Sequence, residues 1–573
     1  MKERTGESVP AHASACSSGT NIGLFGLVAV QKPLTTYLAC LFGVLLAGIA
    51  YYYVCFVVSV MKNGLGLLAS GIILISALSI GLPMACKPAE ATGQQLAEQH
   101  CGNCHQYPEP ALLPKKTWLH GVLPQMALRL GLVGDTLALA QQISQQDERE
   151  RGIQQGYLPA QPLLTPDEWK RLVDFYVDKA PDSLPVTEPA PTVSLTLFKP
   201  VSPAKPLAAL TTCVRIDPIA HRVIVGDQMG GIQTFDARLQ RTDSVRVVSP
   251  LTDVVRVPGQ NTYARLLVGI MNPNDRKTGE LRLPGEKGVD TLRRPVQLAM
   301  GDLNRDGKPD WVVCQFGHNV GQLSAFIKTG TTYLETILDP TPGARRAIIQ
   351  DVNADGWPDV VALLAQGDEQ VAVYYGQPDG KFLKKTVLRF PPANGSSYLE
   401  LADMNRDGKV DIIYTNGDNA DYSQVYKPYH GVHIFLNDGT FHFKKAWTYA
   451  MPGAGQVLAR DFDGDGDLDM AAISFFPVLD PNRQRPAQVF VYFEDQGNLR
   501  FSARTWPGAD VGRWLVMDAA DLDGDGDEDI VLGSNFRSLS NTPAAWRQHW
   551  HDSPSGLLLL ENQVRFRKPS VNQ

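Results

Sequence analysis

The spacing of apolar residues changes character along this chain. Residues 35–60 and 65–85 are two uncharged apolar runs separated by a polar break at Met61-Lys62-Asn63. Each is long enough to cross a bilayer, which takes about 20 residues. Between Ala91 and Ala180 the spacing is helical. Ala91 to His105 reads as one helix. Thr165-Pro166-Asp167-Glu168 opens another, with Thr165 as N-cap, Pro166 at the first helical position and Glu168 completing a capping box. Trp169, Leu172, Val173, Tyr176 and Val177 then recur on one face. Pro181 to Pro206 holds seven prolines in 26 residues, and the spacing predicts a stiff joint over 182–206 with a strand at Val193–Phe198 that closes the next domain.

From residue 207 to 573 the period is two. Short runs such as Val371-Ala-Val-Tyr-Tyr, Val432-His-Ile-Phe-Leu and Val489-Phe-Val-Tyr-Phe are separated by turns such as Asn437-Asp438-Gly439. An acidic nonapeptide recurs five times, starting at Asp302, Asp351, Asp403, Asp461 and Asp521, at intervals of 49, 52, 58 and 60 residues. Such a period, with about four short strands per unit, signals a propeller. Two further units without the acidic loop, one around Arg222–Phe235 and one from Leu251 to Leu283, bring the expected count to seven. The fold class expected is multidomain: a small all-α domain at 87–181, then an all-β propeller of seven blades at 207–573.

Composition narrows the classes. With 44% hydrophobic and 20% charged residues the 573-residue chain is not disordered, and 51 Gly with 40 Pro suit many tight turns. A net charge of −7 argues against a nucleic-acid partner. Eight cysteines are too few for a disulfide scaffold, and Cys213 and Cys314 beside strand valines read as buried thiols.

The acidic repeats carry cation chemistry. They are Asp302-Leu-Asn304-Arg-Asp306-Gly307-Lys308-Pro-Asp310, Asp351-Val-Asn353-Ala-Asp355-Gly356-Trp357-Pro-Asp359, Asp403-Met-Asn405-Arg-Asp407-Gly408-Lys409-Val-Asp411, Asp461-Phe-Asp463-Gly-Asp465-Gly466-Asp467-Leu-Asp469 and Asp521-Leu-Asp523-Gly-Asp525-Gly526-Asp527-Glu-Asp529. Oxygens at positions one, three, five and nine and a backbone carbonyl at seven make a cage for a hard cation, and glycine at six allows the sharp turn. A Val/Ile strand follows each loop, where an EF-hand would continue as a helix. The array resembles FG-GAP or VCBS repeats, the calcium-bearing blades also found in integrin α-subunit propellers. That resemblance implies about five Ca²⁺, held by the residues at positions one, three, five and nine and by the carbonyls of Lys308, Trp357, Lys409, Asp467 and Asp527. Three aspartates in each of the first three loops and five in each of the last two make nineteen, so the chain outside them is net +12. The acidity therefore belongs to the loops.

Cys101-Gly102-Asn103-Cys104-His105 is the attachment signature of c-type haem. Two thiols about one helical turn apart meet the two haem vinyl groups, and the next residue offers its imidazole to the iron. No second cysteine pair lies nearby to complete a zinc site. The domain resembles cytochrome c, in which a haem-bearing N-terminal helix crosses an aromatic-bearing C-terminal one. For the sixth ligand the segment offers Met126, shortly after Pro124, as first candidate, His120 as second and an open position as third.

From Met61 the chain reads as a secretory leader: basic start, apolar core, and Leu82-Pro83-Met84-Ala85-Cys86 at its end. It resembles a bacterial lipoprotein signal, which implies lipidation of Cys86, with 61–86 as signal or anchor and 1–60 as an extension before the true start. The alternative is a hairpin of two membrane helices, the first at 35–60. Either places the rest of the chain in the cell envelope, on the periplasmic or extracellular face.

The function expected is single-electron transfer by a membrane-anchored haem protein, with the propeller docking a redox partner protein or a small-molecule donor. A propeller oxidoreductase that passes substrate electrons to the haem is the alternative, and a surface adhesion propeller is the third. No catalytic constellation is legible. His318, His430, His433 and His442 read as surface or turn residues, and His549 and His551 beside Trp546 and Trp550 are the best remaining site candidates.

Overall fold

The structure, a computed structural model, describes residues 90–132, 149–186, 189–420, 423–479, 487–536, 542–552 and 555–564. The apolar runs at 35–60 and 65–85, and Cys86, lie outside the described residues. Among the described residues no helix is long and apolar enough to cross a membrane.

Among the described residues, the helices that matter most in the N-terminal part are α1 (Gly93–Cys101), α2 (Leu123–Arg129) and α3 (Pro166–Lys179). Both long helices begin as their sequences dictate. Thr165 and Glu168 form the expected capping box on α3, and Thr92 with Gln95 forms a second on α1. Helix α1 is shorter than the expected Ala91–His105, because the Cys-Gly-Asn-Cys segment leaves the helix as a turn after Cys101. The helices α1 and α3 cross at Gly93, where a Cβ would lie 2.2 Å from the Arg171 carbonyl oxygen. Leu96, Ala97, Leu113, Trp118, Leu123, Leu172 and Tyr176 fill the core beneath this crossing. Its two large polar-tipped rings are satisfied: Trp118 Nε1 donates to the Pro110 carbonyl and Tyr176 Oη to that of Pro108, both at 2.8 Å.

Seven sheets follow. Blades 1–5 are four-stranded meanders over Thr211–Arg246, Leu251–Leu292, Pro295–Asp339, Ala344–Arg389 and Ser396–Ala450. Blade 6 starts at Ala454 and blade 7 runs from Trp514 to Asn562. Their first strands line the axis, and each touches the next, blade 7 against blade 1 included, so the ring is closed. Closure removes the free sheet edges that an open array would expose.

The proline-rich joint is built into the ring. Instead of one strand at Val193–Phe198 the chain forms β1 (Thr192–Val193) and β2 (Phe198–Val201). β1 lies parallel to the outer strand of blade 6, and β2 pairs antiparallel with the last strand to complete blade 7. Ser194 and Leu195 break the strand between them because both N–H groups donate to the Thr505 carbonyl. Pro200 is tolerated because β2 is an outer strand with one paired edge. Phe198 anchors the strap, edge-on to Phe462 at 5.6 Å and to Tyr492 at 5.8 Å.

Charges unread in the sequence tie the inner strands together. Arg215 of blade 1 bonds Asp253 of blade 2 at 2.6 Å and Asp518 of blade 7 at 3.4 Å. Glu400 of blade 5 takes Arg346 of blade 4 at 3.5 Å and Arg460 of blade 6 at 2.8 Å.

The helical unit rests on one end of the ring. Tyr429 Oη lies 3.2 Å from the carbonyls of Leu112 and Ala393, Arg129 bonds Asn319, and Ala393 and Val425 join the helical core. Residues 319, 425 and 429 connect second to third strands, and 393 connects one blade to the next. The acidic loops connect first to second strands. Because strands alternate in direction, the acidic loops occupy the opposite face.

Candidate functional site

All five acidic loops share one backbone lattice. The N–H at position seven donates to the position-five carboxylate at 2.8–3.2 Å. The N–H of the position-six glycine, at φ of 80–104°, donates to the position-one carboxylate at 2.8–3.2 Å. Position four is also left-handed: Arg305, Ala354 and Arg406 have φ of 58–60°, and glycines 464 and 524 stand there in the last two loops. The position-nine aspartates anchor each loop to its own blade. Asp310, Asp359, Asp411, Asp469 and Asp529 are buried, and each accepts an N–H from the third strand of its own blade, those of Lys328, Gly376, Asn437, Asp495 and Asn562, at 2.8–2.9 Å. They are struts that hold the loop to the blade.

In the last two loops the carboxylates at positions one, three and five converge. In blade 6 the carboxylate oxygens of Asp461, Asp463 and Asp465 lie within 4.8 Å of one another, as do those of Asp521, Asp523 and Asp525 in blade 7. Position seven adds an orphan. Asp467 Oδ1 and Asp527 Oδ2 are buried with no hydrogen-bond partner among the described residues. Burial and the neighbouring carboxylate at position five push Asp467 up to about 6 and Asp527 to about 8. This donor set fits a hard divalent cation, which would neutralise the cluster and satisfy the orphan oxygens. The first three loops relieve their charge internally. Lys308 and Lys409 pair with Asp306 and Asp407 at 3.2 Å, and the Asn353 amide donates to Asp355 at 2.8 Å. Neighbouring loops also touch: Arg305 stacks on Trp357 at 5.3 Å, and Arg406 reaches Asp467 at 3.6 Å.

On the other face lies the Cys-x-x-Cys-His turn. Cys101 is half-buried, at the end of α1, and Cys104 is exposed. Burial pushes the Cys101 thiol up to about 11, with the nearby Tyr176 hydroxyl opposing it. His105 is half-buried, and burial lowers its basicity, so the imidazole is neutral at pH 7. Its Nδ1 bonds the Gln106 carbonyl at 3.0 Å, which places the proton there and leaves the Nε2 lone pair without a hydrogen bond among the described residues. The Asp368–Arg389 ion pair of blade 4 lies close enough for both charges to act on it. These features fit a haem: one exposed and one half-buried thiol, and a fixed neutral imidazole with a free ring nitrogen. Met126 is half-buried in α2, and His120 is exposed on the turn before it.

The other candidates do not assemble. Cys213 and Cys314 are buried free thiols in blades 1 and 3. His549 bonds the Asp510 carbonyl at 3.2 Å, and His551 is exposed. His430 and His433 correct the surface assignment, because blade 5 buries both. His433 sits between Asn416 at 2.7 Å and Thr448 at 3.0 Å, and burial pushes it down to about 3. Nearby Glu369, unsuspected from sequence, is buried and takes the N–H groups of Gly395 and Ser396.

One family comparison agrees with the repeat. A family model described as an FG-GAP-like repeat matches residues 351–414, which span the second and third acidic loops. A T-cell immunomodulatory protein homolog of Plasmodium falciparum is 29% identical over 140 residues, 22% of this chain and 18% of that protein's length. Among solved structures, the Neurospora crassa Pan2 WD40 domain has a TM-score of 0.40 at 10% identity, covering 66% of this chain and all of that one. An Agrocybe aegerita lectin that recognises terminal N-acetylglucosamine has a TM-score of 0.31 at 15% identity over 60% of this chain and 93% of that one. The chain is thus a seven-bladed β-propeller with FG-GAP-like repeat character, joined to a helical unit.

Proposed function

We propose that this protein is an exported, membrane-anchored c-type cytochrome that transfers single electrons, with the propeller as its docking module. The observation that carries this is the turn from Cys101 to His105, with one half-buried and one exposed thiol followed by an imidazole whose Nδ1 is held by a backbone carbonyl. When bound, the haem supplies a one-electron iron couple. Cys101 and Cys104 would hold it covalently, and His105 and Met126 would supply its iron ligands. The Gln106 carbonyl orients the imidazole and raises its basicity as a ligand. The Asp368–Arg389 pair of blade 4 places balanced charge near the imidazole.

In the same proposal the acidic loops hold Ca²⁺ and stiffen the face away from the helical unit. Cys86 carries the lipid anchor, and the partner is a redox protein or a small-molecule donor outside the cytosol. The test is a pyridine haemochrome assay on protein matured in a host competent for haem attachment. One haem per chain is expected, lost in a Cys101→Ala, Cys104→Ala variant; a blank spectrum from the unaltered protein sinks the proposal. A Met126→Ala variant is expected to lower the midpoint potential, because a thioether favours Fe(II).

A further inference from the structure

Two contacts between the helical unit and the propeller differ in kind. At blade 5 a neutral hydroxyl, that of Tyr429, lies 3.2 Å from the Leu112 carbonyl. At blades 2 and 3 the contact is a chain that runs from a cation to an anion. Arg129, the last residue of α2, donates from Nη2 to Asn319 Oδ1. Asn319 donates in turn to Asp275, from its side-chain amide at 3.1 Å and its backbone N–H at 2.7 Å. The Val320 N–H adds a bond to the same carboxylate at 2.9 Å. An amide set between a guanidinium and a carboxylate is polarised by both, so each bond strengthens the other.

The receiving loops are tied down within the propeller itself. Asn319 sits between the second and third strands of blade 3, and Asp275 in the corresponding loop of blade 2. Arg294 braces both loops. Its Nε donates to the Met271 carbonyl and its Nη1 to that of Gly317, each at 3.0 Å. Asn274 closes its own loop by donating to the carbonyls of Ile270 at 3.2 Å and Asn272 at 2.7 Å. Blade 4 contributes the Gln366 amide, which donates to the His318 carbonyl at 2.7 Å. Three blades thus fix the point that Arg129 grips. Met126 stands three residues before Arg129 in α2, and residues so spaced share a helix face. The face that Arg129 turns to blade 3 is therefore the face that carries Met126.

We propose that the Arg129–Asn319–Asp275 chain is a clamp that positions Met126 as an iron ligand, so that the propeller sets the haem's ligation as well as docking a partner. This rests on the electron-transfer reading above. Asn319 and Asp275 are positioning residues, which act through Arg129 and the helix it ends. Removing a partner one shell away from a metal ligand typically changes metal binding about ten- to a hundredfold. The clamp does the same work at longer reach, by fixing the backbone from which the thioether projects.

The experiment titrates imidazole into the full, haem-loaded, oxidised chain and follows the haem absorbance. Imidazole must displace Met126, so a looser α2 lets it bind more tightly. Asn319→Ala and Arg129→Ala, which cut the clamp from opposite sides, are each expected to tighten imidazole binding about tenfold. In a Met126→Ala background the same changes are expected to have no effect, because the ligand they position is gone. Tyr429→Phe, which alters the blade 5 contact instead, is expected to leave imidazole affinity as it was. A shift that persists without Met126, or that Tyr429→Phe reproduces, overturns the clamp. A second measurement needs no haem: hydrogen exchange of the α2 amides in the haem-free chain is expected to run about tenfold faster in Asn319→Ala and in Arg129→Ala. Unchanged protection overturns the clamp as well. A blank haemochrome sinks the electron-transfer reading and the role of Met126 with it, whereas a haem whose imidazole affinity ignores Asn319 overturns the clamp alone.

Discussion

The acidic loops of blades 3, 4 and 5 and those of blades 6 and 7 are drawn on one backbone lattice yet solve their charge differently. In the first group an asparagine replaces one carboxylate, and in blades 3 and 5 a lysine at position seven neutralises another. In the second group all five acidic positions are aspartate, three carboxylates meet, and a buried oxygen has no hydrogen-bond partner among the described residues. Backbone hydrogen bonding therefore sets the loop's shape, and side-chain charge sets how much the proposed cation would relieve. Position four repeats the contrast. It is left-handed in every loop, costly for Arg305, Ala354 and Arg406 and free for the glycines of blades 6 and 7.

Removing the cation is the largest test of this contrast. Excess EGTA is expected to lower the melting temperature by several degrees, since a site filled at a hundred times its Kd contributes about 2.7 kcal/mol. A melt indifferent to EGTA and to added calcium breaks the comparison. Next, Asp463→Ala in blade 6 is expected to cost about 2 kcal/mol in calcium and to remove part of the EGTA response, and Asn353→Ala in blade 4 less than half of that. Equal losses in the two melts would show one class of loop.

Acid sensitivity has a source apart from the loops, and it must be separated from them. His433, ordinarily titrating at 6.5, is held neutral down to about 3 in the fold. Below pH 6.5 the unfolded chain binds a proton that the folded chain refuses, so stability falls as pH falls, by about 1.4 kcal/mol per unit. A His433→Asn variant is expected to flatten the chemical-denaturation midpoint between pH 6.5 and 5; a profile as steep as the unaltered one would place the acid sensitivity elsewhere.

Two smaller changes sharpen the contrast. Asp527→Lys copies into blade 7 the internal cation of blades 3 and 5. It is expected to stabilise the calcium-free protein by about 1 kcal/mol at pH 7 and to weaken the calcium response, read in paired melts with and without EGTA. Arg406→Ala cuts the contact from the loop of blade 5 to Asp467 and is expected to cost less than about 1 kcal/mol, because the arginine is largely exposed. A larger loss would make the row of loops a coupled unit.

Much of this was legible in the chain. The five repeats and two plainer units counted out seven blades, since each blade must repeat a four-strand pattern to bury its two faces. The capping box at Thr165 was visible because it is local, and the one at Thr92 carries the same signal in Thr92 and Gln95. Other features were hidden because they join residues far apart. Nothing near Asp253 announces Arg215, and nothing near Glu400 announces Arg460 sixty residues on. The anchoring of the position-nine aspartates was hidden because their third-strand partners lie 17–33 residues away. His433 looked like a surface residue because the fold buries its whole strand.

Sequence alone determined the repeat, the turn chemistry at glycine and aspartate, the helix starts and the Cys-x-x-Cys-His spacing, because each depends on residues within a few positions of one another. Tertiary structure decided that the strap of β1 and β2 ties down blades 6 and 7, and that the helical unit and the acidic loops take opposite faces. It also decided which arginines find a carboxylate. Closing the ring does this: it sets strands from distant parts of the chain side by side, and partners across such a seam are chosen by geometry that no local pattern encodes.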